Sequence, residues 1–266
     1  MTFRLQSLVW FVCLLLGGLG MRAPRVQADE ERAREFLTQA QMFVAEGDSL
    51  KATAAATQAI AEKPDFVAAF YLRGREQFRL ARIEESIADF DQQIAFDPNS
   101  EPRHWERGIA YYYAGEFEKG AKQFELYQTY HDNDVENSVW RYLCMARELG
   151  VKKARETMLP IKNDRRVPMM QVFEMFRGTV QPAEVLQAAE ADSPTEEVLA
   201  ARLFYAHLYL GLFYEANGDE AQAQKYIFLA ADKRNSERRV NRYMWDVARI
   251  HADLIRQQGK DSVPEK

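Results

Sequence analysis

Cysteine is nearly absent. Cys13 and Cys144 are the only two in 266 residues, which excludes a disulfide-stapled scaffold and a multi-cysteine zinc site. Histidine is almost as scarce, and its four scattered positions leave little for histidine-centred catalysis. A surplus of positive charge is missing too. Thirty-five Lys+Arg face 40 Asp+Glu for a net charge of −5, so nucleic acid is not an expected partner. Apart from residues 8–16 there is no long apolar run, which excludes a polytopic membrane protein. No nucleophile elbow, phosphate-binding glycine–lysine loop, C-x-x-C or H-E-x-x-H occurs. Catalytic residues, a cofactor and a metal site are therefore not expected. His131-Asp132-Asn133-Asp134 reads as a polar loop rather than a ligand set. What remains is an ordinary balance, 47% hydrophobic and 28% charged, with length enough for a sizeable core.

The N-terminus reads as an export signal. Arg4 precedes the apolar run 8–16, Gly17 to Gly20 loosen its end, and Val26-Gln27-Ala28 supplies small residues before Asp29-Glu30-Glu31. This is the secretory pattern. The expectation is a signal peptide over 1–28, cleavage after Ala28, and a periplasmic or secreted protein without a transmembrane anchor. The alternative is an uncleaved anchor. Cys13 lies inside the apolar run behind Trp10, Phe11 and Val12, which is not a lipidation context. Removing 1–28 leaves 32 basic against 40 acidic residues, a net charge of −8. Cys144, among Trp140, Tyr142, Leu143 and Met145, is expected to be buried.

The rest of the chain is organised by a repeat. Ala40, Gly74 and Gly108 are each 34 residues apart, as are Gly47, Ala81 and Gly115. Ala52, Ser86 and Gly120 keep the same step, as do Phe90 and Phe124. Pro64 and Pro98 close two of the units. A late unit fits Gly211, Tyr214, Gly218, Ala223, Ile227 and Ala230. Small residues let two helices approach closely, the Gly-Asp and Gly-Glu pairs suit a turn with positive φ, and proline stops a helix.

This period and these residue types resemble the tetratricopeptide repeat, a 34-residue helix–turn–helix unit. The implied fold is an all-α solenoid. It has three repeats within 29–134, an irregular helical region over 135–203, a repeat over 204–237, a capping helix over 238–258 and a tail over 259–266. In the irregular region, helices are expected over 135–149, 152–159, 169–176 and 182–191, the last opened by a cap near Thr179. Ser193 is expected to cap a long helix running through Tyr214. The final helix carries Val240, Tyr243, Met244, Val247 and Leu254 on one stripe, which suits an end cap.

In tetratricopeptide arrays the first helix of each unit lines a concave, peptide-binding groove. The resemblance places Tyr71, Arg75, Phe78 and Arg79, then Trp105, Ile109, Tyr112 and Tyr113, on that groove. Arg34, Leu37, Gln41 and Val44 hold the corresponding places in the first unit. Aromatic residues and Arg are the types that dominate binding hot spots. Read as a whole, the layout is similar to the NlpI-type exported tetratricopeptide lipoproteins. The segments 138–143 and 203–231 carry that likeness, although the lipidation Cys is missing. The resemblance implies a scaffold that docks envelope enzymes such as cell-wall hydrolases or proteases, with a homodimer among its partners. The alternative is a glycan-binding module that uses Tyr71, Trp105, Tyr112 and Tyr113 as stacking platforms.

Overall fold

The computed structural model describes residues 24–237 and 240–261, and among these every regular element is helical. Most of the expected signal peptide lies outside the described residues. Its last positions, from Pro24 through Ala28, form the first turn of α1. No described helix is long and apolar enough to cross a membrane.

The repeat register is visible atom by atom. Helices α1 (Pro24–Glu46) and α2 (Ser49–Glu62), α3 (Val67–Arg79) and α4 (Ile83–Phe96), and α5 (Trp105–Tyr113) and α6 (Phe117–Tyr130) form three successive hairpins. Each first helix ends in one residue with positive φ: Gly47 at 81°, Ala81 at 58° and Gly115 at 74°. The amide of that residue donates to the carbonyl three back, and the next amide to the carbonyl five back. Ala81 N to Phe78 O and Arg82 N to Gln77 O measure 2.8 and 2.9 Å. Gly115 and Glu116 reproduce the pair onto Tyr112 and Tyr111 at 3.1 and 2.9 Å. This two-bond closure satisfies carbonyls that the helix end leaves open.

Small residues then admit the second helix. A Cβ on Gly74 would sit 2.9 Å from the Phe90 ring, and one on Gly108 would sit 2.7 Å from Phe124. Pro64 and Pro98 each follow the last residue of α2 and α4 by two positions.

The middle is helical and irregular, as its composition suggests: α7 (Val135–Leu149), α8 (Val151–Glu156), α9 (Met169–Arg177) and α10 (Pro182–Glu190). Two expected caps are displaced. Gln181, not Thr179, opens α10, with its amide bonded to Glu184 at 2.7 Å, while Thr179 turns back to Glu174. Thr195, not Ser193, caps α11 (Glu196–Ala216) by accepting from Val198 N. Ser193 sits at φ 49°, outside the extended conformation of a cap. Helix α11 and α12 (Glu220–Ala230) form the late unit, with Gly218 at φ 80° and Gly211 close against Ile227.

Helix α13 (Arg242–Asp261) runs later than the expected 238–258. It does more than cover the last unit, because it packs on α12 and also on α3. One continuous apolar core results, from Phe78 in α3 to Ala252 in α13. Cys144 lies inside it, and burial raises its thiol pKa. The first hairpin has a separate small core of Ala40, Ala55 and Ala56.

Candidate functional site

Helices α3 and α5 carry the residues predicted for the groove, and α13 packs against both. Tyr243 of α13 stacks on Phe78 with ring centroids 4.6 Å apart and meets Trp105 edge-on at 5.2 Å. Phe78 and Ile109 are 0% exposed and Tyr112 is 7% exposed. These three are core residues. Tyr113 is tied to α13 as well, its hydroxyl 3.0 Å from His251 Nδ1. Tyr112 packs edge-on against Tyr113, Phe117 and Trp140. Tyr112 and Tyr113 thus pack against each other, while Trp105 packs against Tyr243 and Tyr71 against Phe90 and His104.

Charge reinforces the docking of α13. Arg79 stands 2.8 Å from Glu76 and 2.9 Å from Asp246 of α13. Arg249 donates to the Arg79 carbonyl. Burial raises the Asp246 carboxyl above its ordinary pKa, against the opposing pull of Arg79, Arg249 and Arg242. At the other end of α13, His251 Nε2 lies 3.3 Å from Glu215. Burial there pushes Glu215 up, but its hydrogen bond and charge contact with His251 outweigh this and hold it below the ordinary range.

A cavity of about 370 Å³ lies between α1, α3 and the start of α13. Val44, Tyr71, Leu72 and Tyr243 give it apolar walls; the cations Arg75, Arg79 and Arg242 line it together with the carboxylates of Glu76 and Asp246, both of which pair with Arg79. Arg75 lies 5.5 Å from the centres of both the Tyr71 and the Tyr243 rings, a cation–π arrangement. Its nearest carboxylate, Glu106, is 3.9 Å away. Glu106 instead accepts from the Tyr71 hydroxyl at 2.7 Å, and burial raises its pKa. Of the eight predicted groove residues, the structure brings Tyr71, Arg75 and Arg79 together here. Trp105 borders a different cavity, and Tyr112 and Tyr113 a third. Gln41 and Val44 of the first unit also border the open cavity.

Sequence reasoning missed Arg242, Tyr243 and Asp246. Their stripe announced a buried face but not its counterpart. It also missed a charged cluster in which Arg166 meets Asp134, Glu136 and Asp164. The loop that ends at Asp134 is a connector. Asn133 Oδ1 accepts from Lys162 N and Asn163 N, and Asp134 accepts from Glu136 N at the head of α7. Among the described residues no group of three or more His, Cys, Asp or Glu is placed to hold a metal ion. His104 lies buried between the Tyr71 and Phe90 rings, and burial with the charges of Arg107 and Arg103 drives its pKa down to about 4.

No family model matches the chain. Two of the solved structures similar to it illustrate the likeness. One is described as the MamA RS-1 ArsTM double mutant, 13% identical, covering 78% of this chain and 97% of its own, with a TM-score of 0.48. The other is a tetratricopeptide repeat protein from Parabacteroides merdae ATCC 43184, 15% identical, covering 85% of this chain and 99% of its own, with a TM-score of 0.47. Neither likeness bears on what this chain binds.

Proposed function

We propose that the chain is a non-catalytic protein-docking scaffold that holds an extended acidic and apolar segment of a partner in the open end of its concave face. The observation that carries this is the cavity between α1, α3 and α13. It combines exposed apolar wall with the cations Arg75 and Arg242, while α13 closes the rest of the groove. Arg79 already serves Glu76 and Asp246. Arg75 and Arg242 are therefore the groups that pair with partner carboxylates, and Tyr71 and Leu72 provide buried contact area.

The apolar run before Ala28 and the NlpI-type layout support the finer reading. In it the protein is exported, is cleaved after Ala28, and docks envelope enzymes such as cell-wall hydrolases or proteases, with a homodimer as a further assembly. The open cavity favours a peptide over a glycan, because of the four aromatic side chains that would stack sugars only Tyr71 borders it.

The test is made in the native envelope, with a photocrosslinker at Leu72 and, as control, at exposed Lys122. Intact mass of the recovered protein is expected to begin at Asp29. A discrete partner adduct is expected from Leu72 alone, and Arg75→Glu with Arg242→Glu should weaken its capture by about tenfold or more. A folded charge-reversed variant that still captures the partner fully refutes the site. A mass that retains residues 8–16 refutes the cleavage.

A further inference from the structure

A second cavity has a different chemistry. It measures about 140 Å³, near the ~150 Å³ that accommodates a benzene-sized molecule. Trp105 and Trp140 give it indole walls, and Asp134, Glu136, Asn137 and Arg166 its polar ones.

Its charges do not balance. Arg166 is the only cation among the residues that line it. That guanidinium is shared by three carboxylates, at 2.6 Å from Asp134, 2.5 Å from Glu136 and 2.6 Å from Asp164. Full ionisation would leave two negative charges over, one of them at Asp164, which does not itself line the cavity. The three carboxylate side chains are only 18%, 15% and 4% exposed, so water screens them poorly. Glu136 registers the surplus: burial and the charge of Asp134 raise its pKa against the opposing effects of Arg166 and the Tyr209 hydroxyl.

An independent observation points to a ligand at the same place. Asn137 Oδ1 and Trp140 Nε1 are buried and lack hydrogen-bond partners. Their residues are 2% and 1% exposed, and both line the cavity. They stand three positions apart on α7 and so share a helix face. One is an acceptor and the other a donor, and each is costly to leave unpaired.

We propose that this cavity receives a lysine side chain of a bound peptide. The ammonium meets Asp134, Glu136 and Asn137 Oδ1, and a backbone carbonyl of the peptide meets Trp140 Nε1. An ammonium offers three donors to acceptors in different directions, and its aliphatic stem suits the indole walls. Arg166 already occupies the planar, forked position between the carboxylates. A free diamine would satisfy the acceptors but leave Trp140 Nε1 open, and a peptide satisfies both. The inference rests on the docking reading for the existence of a peptide, but not on the site assigned to it.

The experiment follows the indole N–H signals of the full-length protein by NMR, with Trp140 assigned through Trp140→Phe. The probes are acetyl-Gly-Lys-Gly-amide, the same peptide with norleucine, and 1,4-diaminobutane. The lysine peptide should shift the Trp140 signal saturably, and the norleucine peptide should not. Glu136→Gln keeps an acceptor for Tyr209 and should weaken binding by about tenfold. Arg166→Gln removes the competing cation and should tighten it. If Glu136→Gln unfolds, Asp134→Asn replaces it, since Asn also caps a helix. No response to the lysine peptide, an equal response to norleucine, or a diamine that matches the peptide overturns the proposal. Loss of crosslinking at Leu72 with this response intact refutes only the docking site, and the converse refutes only the lysine pocket.

Discussion

The repeated turn offers a test in which one backbone angle is the sole variable. Ala81 occupies the same position as Gly47, Gly115 and Gly218, with the same pair of closing hydrogen bonds, but at φ 58° with a side chain. An L-residue in the left-handed region costs about 1–2 kcal/mol. Ala81→Gly removes that cost. Glycine also widens the unfolded ensemble, which takes back about 0.4–1 kcal/mol. Ala81 is exposed, so no packing is lost. The net expectation is a gain of about 0.5–1 kcal/mol, or roughly 1–4 °C in the midpoint of a chain of this size.

Gly115→Ala is the mirror experiment. A Cβ there would meet nothing within 4 Å, so sterics with neighbours are absent and only φ at 74° opposes it. A loss of about 0.5–1 kcal/mol is expected, and Gly115→Asn should lose less because Asn tolerates this region. Urea unfolding followed by far-UV circular dichroism measures all three variants against the parent. A destabilised Ala81→Gly, or a neutral Gly115→Ala, would show that the turns do not share the geometry on which the register depends.

Two further outcomes are expected. Tyr243→Ala removes a ring that is 1% exposed and stacked on Phe78; it should cost about 3–5 kcal/mol in urea unfolding, and a loss below about 1 kcal/mol would mean that α13 is not held in the groove. The contribution of two histidines to stability should also fall in acid, because burial drives His104 and His207 from 6.5 to about 4. The unfolded chain then binds more protons across that window, and stability present above pH 6.5 is lost as pH falls toward about 4. His104→Phe should flatten this slope in thermal midpoints taken from pH 7 to 4.5, and an unchanged slope would refute the assignment to His104.

The parts of the fold legible in the sequence are those governed by local rules. The small residue of each first helix and the ring that meets it share one spacing, Gly74 with Phe90 and Gly108 with Phe124, because two antiparallel helices joined by one fixed turn bring the same positions together. Gly150 and Gly178 mark the ends of α7 and α9 for the same reason, each with positive φ. The site was less legible. That Tyr71 and Arg75 share a face of α3, four positions apart, followed from register. Their exposure did not, since it depends on where α13 docks, and Tyr243 is separated from Glu106 by 137 residues. A stripe of apolar residues states that one face is buried, not against what; Leu254, on the same stripe, is 40% exposed. The charged cluster was invisible because Asp164 and Arg166 lie in a segment without periodicity, 29 and 32 positions from the Val135 amide and the Asp134 carboxylate they bond.

In a linear repeat array each unit touches only its neighbours, and unfolding can begin at an end and spread. Here Arg249 bonds to a carbonyl 170 positions earlier and His251 to a hydroxyl 138 positions earlier, so the far end of the chain is fastened to its second and third units. The array is a closed ring of contacts rather than an open row. Fraying at the late unit cannot proceed without opening α3 and α5 as well, which couples distant repeats into one cooperative transition. The same clasp demands a long loop closure, so it is expected to form after the hairpins it joins. Until it does, the aromatic face of α3 and α5 stands open to whatever else is nearby.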